Sequence, residues 1–149
     1  MKIKVLYRST TGNTEKLACK IAQTCEIQAE RLDGDTGILT EPVDLLFIGD
    51  GIYFGKVNKK TQMFIDGLDP KMVRNAAVFA TYGGQANIGN TLKDMLKKKG
   101  IKVIEEVFTC KGQAWKFLNR NHPNETDLKN VCNYTKGTVT IVETVSSQA

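Results

Sequence analysis

Residues 43–49, Val-Asp-Leu-Leu-Phe-Ile-Gly, constrain the fold more than any other stretch of this chain. The run follows Pro42, is close to continuously apolar and ends in glycine, which suits a strand buried on both faces. A strand of that kind needs cover above and below. Other β-prone runs occupy 2–7, 75–82 and 101–109, the last with the polar interruptions of a sheet edge, and a weaker one spans 26–32 before Asp33-Gly34-Asp35. Helical patterns lie between them. One fits Thr14–Thr24, with Leu17, Ala18, Ile21, Ala22 and Cys25 on one face. A second starts at Asn58 as its cap, runs to about Gly67 and turns Phe64, Ile65 and Leu68 inward. A third opens at Asn87, carries Ile88, Leu92, Met95 and Leu96 on its inner face and stops at Gly100. A fourth covers Glu125–Thr135 after Pro123-Asn124, and the valine- and threonine-rich tail 137–149 leaves open an added strand, a short helix or disorder. The order β-α-β-β-α-β-α-β-α predicts an α/β fold with a doubly wound parallel sheet. In such sheets ligands bind outside the carboxyl ends of the strands, at the switch point.

The chain has 149 residues, which suits one domain over 1–149 with a core that needs no staples. No apolar run approaches the roughly 20 residues of a membrane span, and the strand-like start Met1-Lys2-Ile3-Lys4-Val5 does not read as a signal peptide. The four cysteines (Cys19, Cys25, Cys110, Cys132) form no C-x-x-C pair and there is a single histidine, His122, so a zinc site is not expected. They read as small buried apolar residues of a reduced, cytoplasmic protein; Cys110, ending a strand, is also placed to face a ligand. The net charge is +5, but apart from Lys59-Lys60 and Lys97-Lys98-Lys99 at helix ends the lysines are spread out. That reads as solvated helix termini rather than a nucleic-acid surface.

The strongest motif is Ser9-Thr10-Thr11-Gly12-Asn13-Thr14, directly after the first strand and opening the first helix. A helix N-terminus offers N–H groups and a positive dipole end to a phosphate, four hydroxyls add donors, and Gly12 permits close backbone approach. A plain cap needs only one such residue. No lysine is required if neutral donors enclose the phosphate. Neither a Walker loop nor a G-x-G-x-x-G dinucleotide fingerprint is present.

At these residues the chain resembles the flavodoxin family, whose phosphate loop reads [ST]-x-T-G-x-T. The resemblance extends through the last helix, and the segment 101–109 leaves no room for the roughly 20-residue insertion of long-chain members. It implies a five-stranded parallel sheet in the order 2-1-3-4-5 and FMN as prosthetic group. It also implies a second flavin loop at Asp50-Gly51-Ile52-Tyr53-Phe54-Gly55, where Tyr53 or Phe54 supplies flat apolar cover for the ring. Gly55 makes it cheap for the Phe54–Gly55 peptide to turn its carbonyl toward a protonated ring N5. A third loop, Thr81-Tyr82-Gly83-Gly84-Gln85-Ala86-Asn87, presents the N–H groups of Gly83, Gly84 and Gln85 to the pyrimidine edge. Here Gln85 replaces a frequent acid, Ile88 stands near the position of an outer stacking tyrosine, and Tyr82 is an alternative cover. Many flavodoxins are acidic. This chain is basic, which favours a redox partner with an acidic or neutral docking face.

The expected function is therefore FMN-dependent electron transfer between redox partners. The alternative is an FMN oxidoreductase acting directly on a small molecule such as a quinone or tetrapyrrole, with the loop 110–124 (Trp115, Phe117) walling a pocket. A receiver domain using Asp44 or Asp50 as phosphoacceptor is disfavoured, because Arg8-Ser9 stands where an acidic pair must hold magnesium. A cofactor-free signalling module is the remaining class. Glu105-Glu106, on opposite faces of a strand, is not a catalytic dyad.

Overall fold

The structure is a computed structural model and describes residues 1–32, 39–52, 56–83, 88–112 and 121–148. β1 (Ile3–Arg8) leads into α1 (Asn13–Thr24), followed by β2 (Ala29–Arg31), β3 (Leu45–Ile52) and α2 (Lys59–Asp66). A 3-10 turn at Pro70–Met72 precedes β4 (Asn75–Tyr82), α3 (Ile88–Lys98), β5 (Lys102–Val103), β6 (Phe108–Lys111) and α4 (Glu125–Ser147). All pairings are parallel and the sheet runs β2-β1-β3-β4-β5, with β6 also lying on β4. The doubly wound sheet and the order 2-1-3-4-5 are as expected.

Strand periodicity sorts the core into two clusters, one per face. Val5, Tyr7, Leu45, Phe47, Ala77 and Phe79 pack against Leu17, Ala18 and Ile21 of α1 and Val131, Tyr134 and Val142 of α4. Leu6, Leu46, Ile48, Ala76 and Val78 pack against Ile65 of α2 and Leu92 and Leu96 of α3. Gly49 has a packing reason: it pairs with Phe79 across the sheet, and a Cβ there would sit 2.1 Å from the Phe79 ring.

The run 101–109 is not one strand. Asn75 pairs with Lys102, but four residues on, Phe79 pairs with Phe108, six residues on, so the edge carries two extra residues. An even excess keeps the pleat in phase, and Val103 and Phe108 still face the clusters their β4 partners face. The bulge takes the edge strand away from β4 around Val78. The Tyr134 hydroxyl of α4 fills that gap, lying 3.2 Å from the Val78 carbonyl and 3.1 Å from that of Glu106. Glu105 and Glu106 thus lie in the bulge rather than on a strand, and Glu105 accepts from Lys93 and Lys97 of α3.

The tail resolves as helix. α4 continues from Glu125 through Gly137 to Ser147, burying Val131, Tyr134, Thr135, Thr138 and Val142 on one side. Packing of that stripe overrides the strand preference of its β-branched residues. The hydroxyls of Thr135, Thr140 and Thr144 each donate to the carbonyl four residues back.

Candidate functional site

The strands β1, β3, β4 and β6 end together at Arg8, Ile52, Tyr82 and Lys111. β2 and β3 leave β1 on opposite sides, so the switch point falls at the end of β1, where Ser9–Thr14 turns the chain into α1. Ser9, Asn13 and Thr14 are buried although polar. Gly12 sits at φ 89°, and its N–H donates to the Ser9 Oγ at 3.0 Å, which curls the loop back on itself. Asn13 donates from Nδ2 to Thr11 Oγ1 at 2.8 Å.

The helix starts differ in their caps. α2 is capped by Asn58, the 3-10 turn by Asp69, and α4 by a reciprocal Asn124–Asp127 capping box. α1 begins on a left-handed glycine and receives no side-chain cap, despite the four hydroxyls around it. The N-terminal dipole end of α1 faces this hydroxyl-rich loop. Thr14 is committed elsewhere: its Oγ1 meets Thr81 Oγ1 at 2.8 Å, a buried bond that ties the first loop to the end of β4.

Two arginines that the sequence reading did not place at the site flank it. In-register parallel neighbours share a face, so Arg31 of β2 lies beside Tyr7 on the α1 side, and Arg8 beside Asp50 on the α2 side. Arg31 donates through Nη2 to the Ser9 carbonyl, stands 6.0 Å over the Tyr7 ring and lies 3.8 Å from Glu15. Tyr7 in turn donates to Glu15 at 3.2 Å. The loop is thus not made of neutral groups alone, as the sequence suggested. Only the register of β2 against β1 brings Arg31 to it, and no local motif signals that.

Asp50 is 1% exposed at the end of β3. It accepts the Asn58 N–H at 2.9 Å, joining the two ends of the loop 51–57. Burial pushes its carboxyl up to about 6, against the Asn58 and Gly51 N–H groups, the Thr61 hydroxyl and the Arg8 charge, which hold it down. Asp44, by contrast, lies at the opposite end of the sheet, accepting from the Lys2 N–H and facing Arg74. Among the described residues no three His, Cys, Asp or Glu side chains group as a metal site.

A family model described as a flavodoxin domain matches residues 4–122. The chain belongs to the flavodoxin family. It is 35% identical over 147 residues to an uncharacterized protein of Methanocaldococcus jannaschii, covering 91% of this chain and 97% of that one. It is 29% identical over 134 residues to the flavodoxin-like domain-containing protein BilS of Clostridioides difficile, covering 82% of this chain and 72% of that one. A solved flavodoxin from the domain Archaea superposes with a TM-score of 0.74 at 19% identity, over 96% of this chain and 99% of that chain. These likenesses point to a flavin-binding redox protein.

Of the residues a flavodoxin uses, the structure brings Ser9, Thr10, Thr11, Gly12, Asn13, Thr14, Gly51, Ile52, Thr81, Tyr82 and Gly83 to one end of the sheet. Tyr53, Phe54, Gly55, Gly84 and Gln85 lie outside the described residues, as do Trp115 and Phe117. Tyr82 is half-buried opposite Lys111. Cys110 does not face the site: it belongs to the core cluster with Val131 and Tyr134, and burial pushes its thiol up to about 12. Nor are the cysteines uniformly interior, since Cys19 is exposed and Cys25 and Cys132 are half-buried. His122 pairs through Nδ1 with Asp127 Oδ2 at 2.7 Å, beside the α4 capping box. No helix among the described residues is long and apolar enough to cross a membrane.

Proposed function

We propose that this flavodoxin-family chain binds FMN and works as a cytoplasmic electron carrier between redox proteins. The single observation that supports it best is the start of α1. A hydroxyl-rich loop surrounds a helix N-terminus that opens on a left-handed glycine, at the switch point of a parallel sheet. These residues fit a terminal phosphate: a dianion with several acceptor oxygens matches hydroxyl and N–H donors around a glycine that leaves space open. Ser9–Thr14 hold the phosphate. Gly51 and Ile52, after Asp50, and Thr81–Gly83 stand at the same end of the sheet where the ring would lie, tied to the phosphate loop through the Thr14–Thr81 bond and to α2 through Asp50. FMN supplies transfer of electrons one at a time. The chain's own groups bind it and keep the ring oriented. A net charge of +5 favours partners that present an acidic or neutral face.

The experiment is reconstitution of the apoprotein. FMN should bind with quenching of its fluorescence and yield a yellow protein, with riboflavin weaker for want of the phosphate. A protein that stays colourless in excess FMN overturns the reading. Mixing the flavoprotein with NAD(P)H and quinone or tetrapyrrole acceptors, without a reductase, should give no turnover. Turnover there would favour the direct oxidoreductase.

A further inference from the structure

We propose that Thr81, at the end of β4, is a positioning residue for phosphate binding: its hydroxyl donates to Thr14 Oγ1 and so leaves the Thr14 proton for a phosphate held by the Ser9–Thr14 loop. The inference rests on the FMN reading and adds to it a role for a residue of another strand. Thr14 Oγ1 and Thr81 Oγ1 lie 2.8 Å apart, and either can be the donor. Thr14 is 1% exposed and Thr81 0%. Each hydroxyl carries one proton, and the bond between them uses only one of the pair. Neither oxygen has a further partner among the described residues. One buried O–H is therefore left for an acceptor that those residues do not supply, and a buried donor left unmet is costly. Packing alone does not ask for two hydroxyls here, since a pair of apolar groups of the same shape would leave nothing to satisfy.

Two directions are open to this bond. If Thr14 donates, its proton is spent on Thr81 and it offers the loop only lone pairs, which a phosphate repels. If Thr81 donates, the spare proton sits on Thr14. An anion at the loop selects the second direction, because a hydrogen bond to a charged acceptor is about twice as strong as one between neutral groups. The positive end of α1 draws the anion to the same place. Thr81 is well placed to fix that choice. It pairs in register with Gly51 of β3 on one side and Cys110 of β6 on the other, so a rigid strand holds a hydroxyl that turns on the first turn of a helix.

The test measures dissociation constants of FMN and riboflavin, by fluorescence quenching, for the wild type and for Thr81→Val, Thr81→Ala, Thr81→Ser, Thr14→Val and the double variant Thr14→Val with Thr81→Val. Without the Thr81 hydroxyl, Thr14 O–H is free to turn among its staggered positions and loses the polarisation its donor gave it. Thr81→Val should therefore weaken FMN by about threefold to tenfold and leave riboflavin unchanged. Thr81→Ala should act like Thr81→Val, and Thr81→Ser should keep the wild-type affinity, because the effect follows the hydroxyl and not the volume. Thr14→Val loses the donor itself and should weaken FMN by about tenfold or more. On that background Thr81→Val should weaken FMN no further. If the two losses add in full, or Thr81→Val weakens riboflavin as much as FMN, Thr81 acts on the fold of the site and the proposal is overturned. Unchanged FMN affinity in Thr81→Val and Thr81→Ala overturns it too. If the wild type binds riboflavin and FMN alike, the proposal falls while flavin binding stands. If it binds neither, the functional reading fails as well.

Discussion

Asp50→Asn should make the apoprotein more stable at neutral pH and remove a slope from its pH–stability profile. Asp50 is a carboxyl buried at the functional end of the sheet, and burial outweighs the donors around it. Raising its titration from 3.8 to about 6 amounts, at about 1.4 kcal/mol per pH unit, to a cost of about 3 kcal/mol for the charged form in the folded protein. The sign follows from the direction. Below pH 3.8 the group is protonated folded and unfolded, and contributes nothing. Between there and about pH 6 the folded state holds the extra proton, so stability falls as pH rises. Above that the full cost is present. An amide at the same place carries no charge, and its oxygen still accepts the Asn58 N–H, though it serves the neighbouring donors less well. Allowing for those weakened bonds, the net gain should be about 1–3 kcal/mol at pH 7.5, which moves a urea midpoint by about 1 M, and should vanish near pH 4. The assay is urea unfolding of flavin-free wild type and variant at matched pH values. The difference between the two curves cancels every other titrating group, Glu105 with its two lysines included. A difference that stays constant from pH 4 to 7.5, or a variant less stable at pH 7.5, would refute the reasoning.

Three further outcomes are expected. Tyr134→Phe should cost about 1–3 kcal/mol in urea unfolding, because the bulge between β5 and β6 leaves the Val78 carbonyl dependent on the lost hydroxyl; an unchanged midpoint would mean that water serves as well. Gly49→Ala should destabilise by about 1–3 kcal/mol or more through collision with the Phe79 ring, and Phe79→Leu in the same chain should recover part of that loss, whereas additive losses would argue against the contact. Gly12→Ala meets no atom but forces an L-residue to φ 89°, at about 1–2 kcal/mol. Because Gly12 opens α1 and bonds Ser9, FMN affinity measured by quenching should fall more than riboflavin affinity.

Much of this molecule is legible from local pattern. The apolar run around Phe47, the helical stripe of Leu17, Ala18 and Ile21, the Asn58 cap and the span of β4 follow from spacing that neighbouring residues impose on themselves. The loop Ser9–Thr14 is likewise visible, because a phosphate-binding turn is built from consecutive residues. The tertiary structure alone decided what depends on partners far along the chain. The edge strand splits because β4 and α4 together tolerate a two-residue bulge that Tyr134 can plug, and nothing within 101–109 encodes that. α4 runs on to Ser147 because Thr138 and Val142 find a buried face, against the β preference of the residues themselves. The same distance hides the electrostatics. Arg31 reaches the loop only through the register of β2 on β1, and Asp50 resists ionisation only because the packed chain buries it. Hydrogen-bond patterns and side-chain periods are short-range quantities and can be read from sequence. Burial and charge proximity are sums over the whole packed chain, and they exist only once it has folded.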